Sequence, residues 1–202
     1  MTRADPASPT VSALAPGLLV AAPALGDPNF SGSLVLMAEH HAEGALGFVL
    51  NRPGPLSVAD VLGGLDEALR AEAEARGRAD GRVLIGGPVQ PERLWILHRP
   101  GAVAPDEGSV TVADGVALGT SRELLEALVR AESPVAFALL LGYAGWAGMQ
   151  LEHEVAGGSW VPMPLHADLV FDVPLEERWE TAVRRLGLDP LGFMVGGGGA
   201  SA

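Results

Sequence analysis

The stretch VAFALLLGYAGWAGMQLEHE, Val135–Glu154, joins a continuous apolar run to a glycine-rich segment and then to a polar cluster. Val135–Leu141 is apolar on both faces, which predicts a central strand of a sheet. Three glycines follow at intervals of three residues. Small residues at this spacing predict a closely packed joint between the strand and a helix. The alternative interpretation is an anion site, formed by the unpaired backbone N–H groups at the start of that helix.

Short apolar runs bounded by turn residues predict further strands on both sides of this stretch. Asp114-Gly115 is a strong turn pair and predicts a hairpin. The predicted strands are Gly17–Ala22, Ser33–His40, Ala45–Asn51, Arg82–Ile85, Arg93–His98, the hairpin Val110–Gly119, Trp160–Met163 and Leu169–Phe171.

Helices are fewer and irregularly placed. The Thr-x-x-Glu capping box Thr120–Glu123 predicts one amphipathic helix. Pro174 predicts the start of a second helix, and Gly187 predicts its end. Ser57–Leu62 predicts the start of a third helix, and the charged segment Glu67–Arg78 an exposed one. Because helices do not follow each strand, the pattern predicts a mixed α+β fold.

The length of the chain predicts one domain. Its 202 residues, 48% of them apolar, are enough to bury a core without covalent cross-links. Residues 1–13 are small, polar and proline-rich, and a glycine run lies close to the C-terminus. We therefore expect a single domain over residues 14–194, with flexible tails at 1–13 and 195–202.

Composition excludes several functions. The chain has no cysteine, which excludes disulfides, thiol nucleophiles and thiolate zinc sites. It has no lysine, which excludes Schiff-base chemistry and a P-loop. The formal net charge is -12, and Arg184–Arg185 is the only contiguous basic pair. Direct contact with nucleic acid is therefore not expected, because it needs clustered basic side chains.

Neither of two uncharged stretches has the pattern of a membrane signal. Proline and glycine interrupt Val11–Gly26, which argues against a signal peptide. Proline and three glycines also interrupt Ser133–Leu151, which favours a buried strand over a membrane span. The absence of disulfides fits a reducing cytoplasm.

The polar cluster at the end of the opening stretch does not have the pattern of a metal site. Zinc needs three or four converging ligands, and Glu152-His153-Glu154 supplies one histidine. Glu152 and Glu154 would lie on different faces of a helix. No serine occurs in a Gly-x-Ser-x-Gly motif. The sequence therefore predicts no catalytic residue, metal or cofactor, and places His153 on the surface.

Rigid turns at the ends of strands carry polar side chains, and such loops often contact ligands. The turns are Asp27-Pro28-Asn29-Phe30, Asn51-Arg52-Pro53 and Gly86-Gly87-Pro88-Val89. If these turns converge, their side chains form a pocket. The candidate pocket residues are Asp27, Asn29, His40, Asn51, Arg52, His98, Tyr143, Gln150 and Glu152.

Several motifs, taken in order, resemble the YqgE/AlgH family of bacterial proteins. They are Asp27-Pro28-Asn29-Phe30, Glu39-His40, Gly44–Pro53 (GALGFVLNRP), Gly86-Gly87-Pro88-Val89, Leu97-His98, Gly142–Trp146, Gln150-Leu151-Glu152, Trp160 and Phe171. The resemblance extends from about Gly17 to Gly187. It implies a bifurcated sheet curled into a pseudo-barrel with flanking helices. The segment Ala71–Asp80, rich in alanine and charge, departs from the family pattern.

The resemblance also implies a cytoplasmic bacterial protein, but it implies no particular reaction. One branch of the family is named for transcriptional regulation of alginate synthesis. The rigid polar turns favour a non-enzymatic binding or regulatory protein that acts through a small ligand or a protein partner. One alternative is an enzyme, such as a hydrolase with Glu152 or His98 as general base. Another is a DNA-binding regulator, which the missing basic patch disfavours. The sequence predicts neither the ligand nor the oligomeric state.

Overall fold

The computed structural model describes residues 14–101 and 108–196. The expected tails lie outside these ranges, except that the backbone of residues 195 and 196 ends the last helix. Within the described ranges, no helix is long and apolar enough to cross a membrane.

Ten strands form one sheet that curls into a half-barrel. The order along the sheet is β10-β1-β2-β3-β9-β6-β8-β7, and β4 and β5 form a branch beside β9. The strands are β1 (Gly17–Ala21), β2 (Leu34–His41), β3 (Gly44–Val49), β4 (Pro53–Ser57), β5 (Arg82–Ile85), β6 (Val89–His98), β7 (Ser109–Ala113), β8 (Val116–Gly119), β9 (Phe137–Ala147) and β10 (Trp160–Met163).

Seven α-helices in the described ranges flank this sheet, which confirms the predicted α+β class. A 3-10 turn, Leu175–Glu177, precedes the sixth helix. The helices are α1 (Val58–Leu65), α2 (Glu67–Ala75), α3 (Arg122–Arg130), α4 (Gln150–Ala156), α5 (Ala167–Phe171), α6 (Arg178–Arg185) and α7 (Pro190–Gly196).

Strand β9 divides the sheet into two branches. On one edge, its residues Leu140–Leu141 pair in parallel with β5, and its residues Ala144–Ala147 pair with β3. The other edge pairs with β6. The sheet therefore forks at Gly142 and Tyr143, which confirms the bifurcation that the family resemblance implied. The predicted strand-to-helix joint at Gly142 is wrong, because β9 continues to Ala147 and α4 begins only at Gln150.

The fork needs glycine where two backbone segments meet. Gly142 has φ of +70°, and a Cβ added there would lie 2.4 Å from the carbonyl oxygen of Gly87. A Cβ on Gly87 would in turn lie 2.2 Å from the carbonyl carbon of Tyr143. These distances are too short for any side chain. The preceding residue, Gly86, donates its N–H to the carbonyl of Leu141 at 2.8 Å.

Two local predictions differ from the structure. Ser121 caps α3, accepting the N–H of Leu124 at 3.1 Å, so the helix begins one residue later than a Thr120 cap predicts. The predicted strand Leu169–Phe171 is part of α5. Its buried residues are consecutive, and a short apolar run without alternation does not distinguish a strand from a buried helix.

Three apolar clusters fill the space around the sheet. The first covers the concave face, where residues of α5 and α6 pack on Leu36 and Phe48. The second lies between α1–α3 and the β5–β6 side of the sheet. The third lies under α4 and contains Trp146 and Trp160. Trp95 and Tyr143 are only partly buried at the concave-face cluster, and the cavities described below lie beside these two side chains.

Candidate functional site

The structure brings the nine predicted pocket residues together only in part. Asn51 and Arg52 hold loop 27–33 through its backbone. The Asn51 amide donates to a loop carbonyl at 2.9 Å, and the Arg52 guanidinium donates to two others at 3.0 and 3.4 Å. Within the loop, Asp27 accepts the N–H of Asn29 at 2.8 Å. These four predicted residues therefore share one rigid corner.

The rigid turns meet through their backbones. Loop 27–33 binds Arg52, whose carbonyl accepts the N–H of Ile85 at 2.8 Å. Gly86, which follows Ile85 in the chain, accepts the N–H of Val49 through its carbonyl at 2.8 Å. The turns thus form a packed junction beside the fork, and Val89 is their only residue that lines either of the two cavities described below.

Arg178 of α6 also binds this junction, although no sequence pattern singled it out. It is 6% exposed and donates to the carbonyl of Leu50 at 2.6 Å and to that of Val173 at 3.0 Å. Burial lowers its pKa to about 10, and the charge of Glu176 opposes that effect. The guanidinium stays charged at neutral pH and satisfies two carbonyls, that of Leu50 after β3 and that of Val173 after α5.

His40 and Glu152 form a pair on the convex side of the sheet. His40 Nδ1 accepts the N–H of Leu14 at 3.1 Å, so Nε2 carries the proton and donates to Glu152 Oε1 at 3.0 Å. The pKa of Glu152 is lowered, chiefly by a hydrogen bond from its own backbone and then by His40. In the same helix, Gln150 accepts the N–H of Ala147 at 3.0 Å. The pair fastens α4 to β2.

His98 lies apart from the other predicted residues and is 1% exposed. Its Nδ1 lies 3.0 Å from the carbonyl oxygen of Arg99, and its Nε2 lies 2.7 Å from Ser109 Oγ. Because a carbonyl only accepts, Nδ1 carries the proton and Nε2 accepts the serine hydroxyl. Burial lowers the pKa of His98, and the bond to Arg99 offsets part of that effect. The imidazole is therefore neutral at neutral pH.

Glu154 has a structural role that sequence reasoning missed. Its Oε2 accepts the indole N–H of Trp146 at 3.0 Å and that of Trp160 at 2.8 Å. Its Oε1 accepts from Gln150 at 2.9 Å. Phe30 packs against both indoles, with ring centroids 6.0 and 5.6 Å away. The i, i+4 spacing of Gln150 and Glu154 is the signal that places these two side chains on one face of a helix.

A cavity of about 450 Å³, here the tyrosine cavity, lies at the open end of the concave face. Tyr143 lines it beside Gly145, which leaves space because it has no side chain. Glu39 and Glu43 add carboxylates to its wall, and His41 adds an imidazole. The full lining is Glu39, His41, Glu43, Gly44, Ala45, Leu46, Val89, Tyr143, Gly145, Trp146 and Ala147.

A second cavity of about 360 Å³, here the tryptophan cavity, lies between β2 and the strands β6–β8. The two cavities share Glu39. A register shift in β2 between Met37 and Glu39 allows Ala38 and Glu39 to line the same wall. The full lining is Ala38, Glu39, Arg93, Trp95, Gly108, Val110, Thr111, Val112, Leu118, Gly119 and Thr120.

Unpaired charges and aromatic rings lie side by side in these cavities. Glu39, Glu43 and Arg93 form no ion pair with any residue in the described ranges. The guanidinium carbon of Arg93 lies 4.4 Å from the ring centroid of Trp95. The Trp95 ring contacts that of Tyr143, with centroids 6.0 Å apart. In the described part of the chain, the buried Trp95 Nε1 has no hydrogen-bond acceptor.

The acidic groups of the tyrosine cavity do not form a metal centre. Within the ranges 14–101 and 108–196, no three histidine, aspartate or glutamate side chains converge to hold an ion. The two cavities therefore offer separate charged and aromatic contacts rather than a coordination sphere.

Comparison with known proteins identifies the family. A sequence model described as AlgH-like matches residues 18–191. The chain belongs to the AlgH-like family. The resemblance found in the sequence motifs is thereby confirmed.

Relatives at several distances share this AlgH-like sequence. A UPF0301 protein of Anaeromyxobacter dehalogenans (strain 2CP-C) is 75% identical over 94% of this chain and 96% of its own length. A UPF0301 protein of Stenotrophomonas maltophilia (strain K279a) is 41% identical over 91% and 94%. The solution structure of the AlgH protein from Pseudomonas aeruginosa has a TM-score of 0.70 and 32% identity, and the match covers 98% of this chain and 100% of that one.

The AlgH-like motifs are not spread evenly over the molecule. Eight of the eleven residues that line the tyrosine cavity belong to the motifs through which the sequence resembles the family. Glu39 comes from the Glu39-His40 motif, Val89 ends the Gly86–Val89 motif, and Tyr143 belongs to Gly142–Trp146. The same motifs that build the fork therefore also build the wall of this cavity.

Proposed function

We propose that the chain is a non-enzymatic binding protein, with a regulatory role in the cytoplasm, that holds a small ligand in the tyrosine and tryptophan cavities. The observation that carries the proposal is the pair of cavities that share Glu39 on the concave face. Concave sites with aromatic walls and a few polar groups are typical of small-molecule binding. Unpaired Glu39 and Arg93 supply the polar groups.

The state of the histidines favours binding over catalysis. Two histidines that sequence reasoning considered are engaged in structural hydrogen bonds, His40 with Leu14 and Glu152, and His98 with Arg99 and Ser109. A general base must lie within hydrogen-bond reach of the proton that it removes from a substrate. Neither histidine lines the two cavities.

Thermal unfolding of the full chain with a library of metabolites tests the proposal. A ligand at a hundred times its Kd stabilises the folded state by about 2.7 kcal/mol and raises the melting temperature. Glu39→Gln and Arg93→Gln should reduce this shift, and His153→Ala, on the exposed side of α4, should not. A library without a single saturable ligand, or ligands indifferent to both cavity variants, would count against the proposal.

Hydrolysis is a second candidate because of one distance. Ser109 Oγ lies 2.7 Å from His98 Nε2, and the neutral imidazole is oriented to accept the serine proton. A fluorophosphonate probe distinguishes the two functions. Labelling of the chain that disappears in Ser109→Ala and His98→Gln would support a serine hydrolase, and an unlabelled chain would exclude it.

Direct DNA binding is not part of the proposal. Seven arginines lie within ion-pair distance of a carboxylate. Phosphate contacts require basic side chains that are free to pair with the backbone of the duplex. Together with the net charge of -12, these ion pairs favour regulation through a ligand or a protein partner.

A further inference from the structure

We infer that the ligand is a zwitterion of the amino-acid type, with a carboxylate beside Arg93, an ammonium beside Glu39 and an apolar group against Tyr143. This inference rests on the proposed binding function of the two cavities. It adds the chemical class of the ligand, and each of its three contacts comes from a different part of the cavity walls.

Arg93 is the anion-binding group of the tryptophan cavity. Its guanidinium is held over the Trp95 ring at 4.4 Å, and its hydrogen bond to Gln90 Oε1 is long, 3.3 Å. It pairs with no carboxylate in the described ranges, unlike seven other arginines. A guanidinium binds a planar carboxylate through two parallel hydrogen bonds. A carboxylate in this cavity would complete the coordination of Arg93.

Trp95 forms the aromatic part of the wall beside Arg93. Its indole Nε1 is buried, and no group in the described part of the chain accepts its hydrogen bond. A buried donor without an acceptor costs about 1–3 kcal/mol.

Glu39 is the cation-binding group, because it lines both cavities and forms no ion pair with described residues. Glu43 adds a second unpaired carboxylate in the tyrosine cavity. Since Arg93 and Glu39 line the same cavity of about 360 Å³, one small ligand that carries both charges can meet both side chains. An α-amino acid is such a ligand.

The tyrosine cavity accommodates the apolar part. Its wall combines the Tyr143 ring with Val89 and Leu46. At Gly145, a Cβ would lie 3.4 Å from the Tyr143 ring, so the missing side chain leaves the face of this wall accessible. Aromatic rings pack favourably at offset or edge-to-face geometry. A phenyl or branched aliphatic side chain fits this surface.

Ligands with one charge fit less well. Glu39 and Glu43 would repel a simple anion such as phosphate, and a polyamine would leave Arg93 without a partner. A zwitterion pairs both signs at the same time. Charge complementarity therefore selects the amino-acid class over either single-charge class.

Calorimetric titration of the full chain with three matched probes tests the inference. The probes are L-phenylalanine, phenethylamine, which lacks the carboxylate, and 3-phenylpropionate, which lacks the ammonium. We expect phenylalanine to bind at least tenfold more tightly than either analogue. Arg93→Gln should remove its advantage over phenethylamine, and Glu39→Gln its advantage over 3-phenylpropionate. His153→Ala should behave as the parent chain, and thermal unfolding confirms that every variant is folded.

Two results would overturn the inference. In the first, the parent chain binds neither phenylalanine nor L-leucine, but it binds another metabolite whose affinity falls in Glu39→Gln and Arg93→Gln. The proposed binding function would then stand, with a ligand of a different class. The other is phenylalanine binding whose preference over the analogues survives both substitutions. If no metabolite binds at all, the binding function itself fails together with the inference.

Discussion

Nε2 of His40 lies 3.0 Å from Oε1 of Glu152, although the two residues are 112 positions apart in the chain. His40 lies in β2 just after its bulge, and Glu152 lies in the first turn of α4. Because His40 also accepts the N–H of Leu14, one imidazole connects three distant segments. The pair is thus a structural link on the side of the sheet opposite the cavities.

Glu152→Ala should lower the free energy of unfolding by about 1–3 kcal/mol, because it leaves the buried Nε2–H of His40 without an acceptor. Glu152→Gln keeps an oxygen acceptor and should lose less. Urea unfolding measures both. His153→Ala, at the exposed neighbouring position, should stay within about 0.5 kcal/mol of the parent chain. Equal stability of Glu152→Ala and His153→Ala would contradict the role of the pair.

Glu154→Ala should lower the free energy of unfolding by about 2–4 kcal/mol, since two indole N–H groups lose the same carboxylate oxygen. Tryptophan emission should shift as well, because Trp146 and Trp160 change their hydrogen bonding. Glu154→Gln retains one oxygen acceptor, so its free energy of unfolding should lie between those of the parent chain and Glu154→Ala. An unchanged emission spectrum in Glu154→Ala would show that the carboxylate does not hold the indoles.

Gly142→Ala should lower the free energy of unfolding by about 3 kcal/mol or more. It places a Cβ at φ +70° and 2.4 Å from a backbone oxygen at the fork. Gly64→Ala is the matched control, because Gly64 lies in α1 with open space around its Cβ position. That change should stabilise the chain by about 0.5–1 kcal/mol. Thermal unfolding compares the two, and a tolerated Gly142→Ala would refute the close contact.

Stability should depend on pH through His98. Burial holds its pKa below the ordinary value of 6.5 in the folded state. At higher pH both states carry a neutral imidazole. Below pH 6.5 the imidazole binds a proton in the unfolded chain but stays neutral in the folded chain. The free energy of unfolding therefore decreases as the pH is lowered from 6.5 to the pKa of folded His98.

NMR titration of the His98 ring measures that pKa directly, and urea unfolding at several pH values measures the slope. His98→Gln should flatten the slope in this window. Protonation of His98 at pH 6.5 or above would contradict the prediction.

Local patterns predicted the elements whose signals come from neighbouring residues. The hairpin around Asp114-Gly115 is confirmed as β7 and β8, because a turn pair between short strands depends only on adjacent residues. Leu169–Phe171 was predicted wrongly, because its short apolar run fits a strand and a helix equally well. The family resemblance, rather than periodicity, predicted the forked sheet.

The candidate site depends on contacts that no local pattern contains. Glu39 reaches both cavities only because β2 has a bulge, and the cavities themselves form only where the sheet curls. Arg93 lies in a predicted strand, but its lack of an ion-pair partner is a property of the folded chain. Tyr143 is the one predicted pocket residue that lines either cavity.

The fork at Gly142 has a consequence for how the domain unfolds. Strand β9 pairs with β3 and β5 on one edge and with β6 on the other, so both branches of the sheet depend on it. If β9 detaches, each branch loses its inner neighbour at the same moment. The two branches cannot melt independently, and we expect heat or urea to unfold them in a single cooperative transition.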